Sequence, residues 1–225
     1  IGDYLPKEAV LRSFMERSFE ILNNHPVNQK RAAEGKRKAN SLWYWGAGTK
    51  PSLYSFEGKT GLKGAMISAV DLLKGIAVGA GMEICQVVGA TGSVDTNYEG
   101  KAQAAIEALK TNDFVFLHVE ASDEAGHEGD IDLKVKTIEY LDSRIVKPIF
   151  DEVSKWTEPV TMAILPDHPT PCAIKTHTNA PVPFVIYNPT QQGDSVQVYD
   201  EQAALQGAYG HVSGDEFMQL LFDKK

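Results

Sequence analysis

The sequence predicts an α/β fold, a mostly parallel sheet covered by helices on both faces. Three observations carry this. Between residues 64 and 215, segments with helical apolar spacing alternate with short β-branched runs, the pattern of strand–helix–strand units. The run "DFVFL" (113–117) is continuously apolar, as a strand must be when helices cover both its faces. A length of 225 residues, 43% hydrophobic and 23% charged, suffices for one large domain or a domain with a small appendage.

The elements follow in order. "PKEAVLRSFMERSFEILNNH" (6–25) reads as one amphipathic helix that ends near Pro26. "WYWGAGTKP" (43–51) reads as a strand running into a glycine-rich loop. "AMISAVDLLKGIAVGAG" (65–81) has helical spacing and stops at Gly79-Ala80-Gly81. "EICQVV" (83–88) is a strand that enters the turn "GATG". "YEGKAQAAIEALK" (98–110) is an amphipathic helix, and "DFVFLHVE" (113–120) the next strand. "DLKVKTIEYLDSRIVKPIFDEVSKW" (132–156) is one long helix with Val135, Ile138, Leu141, Ile145, Ile149 and Val153 down one side. "PVTMAILP" (159–166) and "VPFVIY" (182–187) are strands, and "DEFMQLLFDK" (215–224) is a closing helix.

Charge and composition exclude some functions. A formal net charge of -8 argues against a nucleic-acid surface. The densest basic stretch, "NQKRAAEGKRK" (28–38), reads as a solvated helix end or loop. Cys85 and Cys172 sit in no CxxC or zinc-finger spacing, so no disulfide is expected. No apolar stretch reaches membrane-spanning length and none reads as a secretory leader. The expected compartment is the cytoplasm, with neither nucleic acid nor membrane as partner.

Ligand chemistry gathers at three places, each beside a predicted strand. Asp123 and His127 lie in "DEAGH", after "FVFLHVE". Asp167 and His168 lie in "PDHPTP", directly after "MAILP". His177 lies in "KTHTNAPVP", just before "VPFVIY". The first two loops leave from one edge of a parallel sheet. The third must pass back over that edge, or its strand must run antiparallel. Singly, each has a plain structural explanation, such as a solvated helix start or a turn before proline. Jointly they favour divalent ions, since carboxylates and imidazoles suit Zn²⁺, Mn²⁺ and similar metals. Five protein ligands are too many for one ion and too few for two closed sites, which fits two ions with open positions. His118 reads as a supporting histidine, and Glu120 as support at the strand end. His25 and His211 receive no role.

These residues also carry a resemblance. "HVEASDEAGHEGD", "LPDHPTP" and "KTHTNAPVPF" resemble the metal-binding half of the cofactor-independent phosphoglycerate mutases, of the short archaeal-type branch. Some members of that branch have been described as homoserine kinases. The wider group is the alkaline phosphatase superfamily, and the resemblance runs from about "NSLWYWGAG" to the C-terminus. It implies an alkaline phosphatase-like fold, with Asp123, His127 and His177 on one ion and Asp167 and His168 on the second. It implies interconversion of 2- and 3-phosphoglycerate through a phosphoserine, with no 2,3-bisphosphoglycerate as cofactor. Mn²⁺ or Zn²⁺ is the favoured ion, with Mg²⁺ and Co²⁺ also compatible.

The nucleophilic serine and a further aspartate are not identifiable here. Thr91, Ser93 and Thr96 match a different part of the family. Residues 1–40 resemble the tail of an inserted domain and its connector, and residues 41–225 the C-terminal part of the metal-binding domain. The N-terminal remainder of the same polypeptide is therefore the expected partner, beside a small phosphorylated metabolite. The chain alone is expected to be inactive, with its second ion weakly held. Lys74 falls roughly where longer relatives of this family carry a lysine on the substrate phosphoryl group, so the resemblance implies that contact here. "WYWGAGTKP" departs from the arginine-rich loop of longer relatives, so Arg31 becomes a candidate substrate contact. The departure leaves open a phosphatase, a phosphotransferase acting on another small alcohol, or a non-catalytic metal-binding fragment.

Overall fold

The computed structural model describes residues 5–44 and 48–222. The chain divides into two compact units, Ile1–Pro51 and Ser52–Lys225.

In the first unit, α1 (Ala9–Asn23) is capped by Glu8, whose carboxylate accepts from Leu11 N–H at 2.7 Å. α2 (Pro26–Ala33) starts on Pro26, and His25, assigned no role from sequence, caps it through Nδ1 at 3.3 Å from Val27 N. The basic stretch thus begins as a short helix with Lys30 and Arg31 in its last turn. Asn28 is buried. Its amide donates to the Leu22 and Ala39 carbonyls and its oxygen accepts from Ala39 N–H, which ties the following segment to the helix turn. No strand forms at Trp43 and Tyr44, while residues 45–47 of the expected strand and loop lie outside the described residues.

The second unit opens with α3 (Phe56–Thr60), followed by strand β1 (Gly64–Ile67), α4 (Asp71–Gly79) and β2 (Glu83–Ile84). Residues 65–67 do not join a helix, as their spacing suggested. They form the central strand, buried on both faces, and a short two-sided apolar run has no period that separates strand from helix. The Ser68 hydroxyl accepts from Val70 N–H at 3.0 Å and turns the chain into α4. The helix stop falls where expected, with Gly81 at φ 72°. The strand predicted over 83–88 shortens to two residues. Beyond it Cys85 N–H still reaches Met66 O, and Gly89 at φ 78° turns the chain away.

Next come α5 (Tyr98–Leu109), β3 (Phe114–Leu117), α6 (Ala121–Glu128), α7 (Ile131–Leu141) and α8 (Lys147–Val153). Among the described residues, β1, β2 and β3 form a parallel sheet in the order β2-β1-β3. The crossover from β1 to β2 and that from β2 to β3 run in opposite directions across the sheet. Right-handed connections then place α4 and α5 on opposite faces. β3 is flanked by β1 on one side, and Phe116 stays 42% exposed, so the continuous cover expected over this strand is incomplete.

The long helix is real but not uniform. α7 passes into α8 through a π turn, Asp142–Val146. Pro148 lacks an N–H and its ring crowds the carbonyl four residues back, and the widened turn just before it accommodates both. Ile145, Ile149 and Val153 are buried as the stripe predicts, but Val135 and Ile138 are each 52% exposed and Thr137 is buried instead. The inward face of α7 is therefore rotated from the predicted one. Arg144 in the π turn grips Glu99 with two bonds of 2.6 and 2.8 Å and lies over the Tyr98 and Tyr140 rings. The core gathers between the sheet, α5 and α8, from Ile67, Tyr98, Ala102, Ile106, Ile145, Ile149 and Val153. Each large side chain there contributes about 1.5–3 kcal/mol by leaving water.

β4 (Met162–Ile164) and β5 (Val185–Tyr187) pair antiparallel, which decides the alternative left open for the strand after His177. A short α9 (Glu201–Ala204) and α10 (Gly214–Phe222) complete the unit. Phe222 meets Phe56 and Phe114 edge-on, at the end of the sheet where β3 begins. The opposite end, where β1 and β3 deliver their last residues, carries the ligand loops.

Candidate metal centre

α6 follows the end of β3 directly. Ala121 and Ala125 are buried and hold the helix against the core, which leaves its other side for polar groups. Asp123 and His127 are one turn apart on that side, and His127 Nε2 lies 3.3 Å from Asp123 Oδ2. Gly129, at φ 75°, closes the helix with a bond from Asp130 N–H back to the Ala125 carbonyl. Asp130 then caps α7 by accepting from Leu133 N–H at 2.9 Å. Glu128 is the last residue of α6.

The loop between β4 and β5 brings the other ligands onto α6. His177 Nε2 is 3.0 Å from His127 Nε2 and 3.4 Å from Asp123 Oδ1. Asp123, His127 and His177 thus form one candidate ion site. Ligands about 2.0–2.1 Å from a tetrahedral ion are roughly 3.3 Å from each other. The His127–His177 separation and the distance from each histidine to its nearer Asp123 oxygen are of that order. His127 Nδ1 lies 3.1 Å from the Lys175 carbonyl. A proton held there leaves Nε2 with a free lone pair toward the site, the usual arrangement of a metal-bound histidine. Lys175 itself adopts φ 56°, rare for a residue with a Cβ, and its Nζ donates to the Glu128 carbonyl at 2.9 Å.

His168 and Asp167 stand beside this triangle. The His168 and His177 rings are 3.8 Å apart between centroids, and His168 Nδ1 is 4.0 Å from Asp123 Oδ1. His168 Nε2 is 3.5 Å from Asp167 Oδ2. The structure therefore gathers Asp123, His127, His177 and His168, with Asp167 joined to them through its neighbour His168. Glu120, Asp123 and Glu124 make a second acidic group beside them. The Glu120 carboxyl is pushed above the ordinary range, first by burial and then by the Glu124 and Asp123 charges. Negative charge held this closely suits a divalent cation.

Some surrounding residues were legible in sequence and others were not. His118, expected to support the ligands, lies 3.4 Å from Ser68 Oγ through Nδ1, and burial pushes its imidazole below the ordinary range. Thr170 was missed. It is buried, its hydroxyl donates to Asp123 Oδ1, and it lies 3.3 Å from His168 Nδ1. Its one sequence signal is its place two residues after His168, between two prolines. Lys74 sits in the first turn of α4 and pairs with Asp71 at 3.2 Å; among the described residues no contact joins it to the Asp/His cluster. Arg31 belongs to the first unit, where Nε donates to the Arg37 carbonyl at 2.9 Å. The hydroxyls of Thr91 and Thr96 bond within their own loop, as a tight turn requires. Cys85 and Cys172 are free.

Known proteins resemble this chain in sequence and in fold. The chain is 50% identical over 225 residues to the 2,3-bisphosphoglycerate-independent phosphoglycerate mutase of Methanosarcina mazei, a match covering 98% of this chain and 57% of that protein. It superposes on the PH0037 protein of Pyrococcus horikoshii with a TM-score of 0.84 and 38% identity, over 95% of this chain and 56% of that one. The cofactor-independent phosphoglycerate mutase of Thermoplasma acidophilum gives a TM-score of 0.61 at 26% identity, over 95% of this chain and 50% of that one. The chain thus spans 51% to 58% of the length of curated relatives it matches. No described helix is long and apolar enough to cross a membrane. The Metalloenzyme superfamily description matches residues 19–224, and with that match covering most of its length, the chain belongs to the Metalloenzyme superfamily.

Proposed function

We propose that this chain is the metal-binding part of a two-metal phosphomutase that interconverts 2- and 3-phosphoglycerate in the cytoplasm. The observation that carries the reading is the triangle of Asp123, His127 and His177, with Asp167 and His168 alongside. Bound Mn²⁺ or Zn²⁺ ions would neutralise charge on the transferred phosphoryl group. Asp123, His127 and His177 would hold one ion, and Asp167 and His168 would contribute to the second. The Lys175 carbonyl keeps the His127 proton on Nδ1, away from the site. His118, held neutral by burial, adds no positive charge beside the ligands. Lys74 is the proposed phosphoryl contact. The group would pass from one hydroxyl of phosphoglycerate to a serine and return to the other hydroxyl, with no net hydrolysis. That serine is not among the residues the resemblance assigns in this chain, so the reading makes these residues necessary for turnover without making them sufficient.

The test uses the complete polypeptide, stripped of metal and then restored with Mn²⁺. Interconversion of 2- and 3-phosphoglycerate should vanish and return. Phosphate release from other esters, with no interconversion, would replace the mutase reading with a metal-dependent phosphatase.

A further inference from the structure

Thr170 stands where the two proposed ligand sets meet. It is 3% exposed, and the side chains within reach of its hydroxyl are one ligand from each set, Asp123 and His168. A hydroxyl has a single proton and two lone pairs. The Asp123 carboxylate can only accept, so the proton goes to its Oδ1. The hydroxyl oxygen is then left to accept from His168 Nδ1, 3.3 Å away. That places the ring proton of His168 on Nδ1 and leaves Nε2 bare on the side of Asp167. The same bond fixes the turn of the Asp123 carboxylate. Oδ1 is shared between Thr170 and His177, while Oδ2 faces His127 at 3.3 Å.

Thr170 is itself held firmly. Its carbonyl accepts from Lys134 Nζ at 2.7 Å, and it packs so close to α6 that a Cβ on Gly126 would run into that carbonyl. We propose that Thr170 is the positioning residue that orients the carboxylate of one ion's ligands and sets the imidazole tautomer of the other's, so that the two ions bind in a coupled way. The proposal rests on the two-ion reading above.

The test is Mn²⁺ calorimetry on the complete polypeptide, comparing the wild type with Thr170→Val and Thr170→Ser, with thermal melting of each metal-free form. Loss of the hydroxyl in Thr170→Val should weaken Mn²⁺ binding about 10–100-fold, the usual cost of losing a partner that orients a ligand. Thr170→Ser should restore it. Unchanged binding by Thr170→Val overturns the proposal. So does Thr170→Ser binding as poorly as Thr170→Val, since a variant that keeps the hydroxyl would then lose as much as one that lacks it. A wild type that takes up no Mn²⁺ sinks the two-ion reading and this proposal with it. The wild type alone offers a check that needs no variant: ¹⁵N NMR of neutral His168 should show the proton on Nδ1, and a proton on Nε2 overturns the proposal.

Discussion

Nε2 of His127 and Nε2 of His177 stand 3.0 Å apart, although 50 residues separate them in sequence. Two bare lone pairs at that distance repel, so the pair must share a proton or a cation. His177 has a half-exposed side chain and contributes little to the core. His177→Ala should therefore leave the metal-free melting temperature nearly unchanged. Mn²⁺ or Zn²⁺ binding by calorimetry should weaken more than about 100-fold, beyond the effect of losing an outer partner. Wild-type affinity in this variant would remove His177 from the site.

Gly126 lies in α6, where Gly→Ala ordinarily adds up to about 1 kcal/mol of helix stability. Here the new Cβ would strike the Thr170 carbonyl, with Thr170 Cγ2 at 3.0 Å and Lys134 Nζ at 2.9 Å. The lysine can move, but the backbone oxygen cannot move without shifting the whole ligand loop. Overpacking of this kind costs roughly 1–3 kcal/mol and should outweigh the propensity gain. Gly126→Ala should lower the urea midpoint and weaken metal binding together. A stabilised variant would mean that the loop yields freely.

His118 gives a pH dependence with a definite sign. Burial lowers its imidazole, against the opposing pull of Asp167 and Asp123. The folded state therefore prefers the neutral ring, while the unfolded chain takes up its proton near pH 6.5. The stability linked to this preference is full above about pH 6.5 and is lost as pH falls toward the folded value. Melts of the metal-free protein between pH 7.5 and 5 should fall less steeply for His118→Gln than for the wild type. Parallel curves would show that His118 takes no part in acid destabilisation.

The clustering of the candidate ligands was legible in the sequence because each one sits beside a strand, and strand ends set where loops leave the sheet. Asp123 and His127 also carry the spacing that a helix turns into one face. What the sequence could not yield depended on packing across long separations. β1 was read as helix because apolar residues buried on both faces show no alternation. Val135 and Ile138 were placed inward because a regular helix carries the phase of Ile145 back to them, and the π turn breaks that phase. Thr170 was invisible because its meaning lies in Asp123, 47 residues away.

Lys101 tests how much of the charge beneath the site is structural. It is 1% exposed on α5, and Nζ makes one long bond, 3.3 Å to the Thr91 carbonyl. Burial pushes its ammonium below the ordinary lysine range, and this outweighs the attraction of Glu120. A lysine whose folded value is depressed is penalised for its charge at neutral pH, and the penalty fades as pH rises past the lysine range. Methionine has nearly the same length and carries no charge, and replacing buried ions with apolar groups of similar volume is often neutral or stabilising. Lys101→Met should therefore melt no lower than the wild type at pH 7. Two losses oppose the gain. The Thr91 carbonyl loses its ammonium donor, at a cost of about 1 kcal/mol. The Glu120 carboxyl loses a positive neighbour and should titrate still higher. A drop in stability well beyond that single hydrogen bond would show that the Lys101–Glu120 attraction, and not the burial of the ammonium, governs this corner of the sheet.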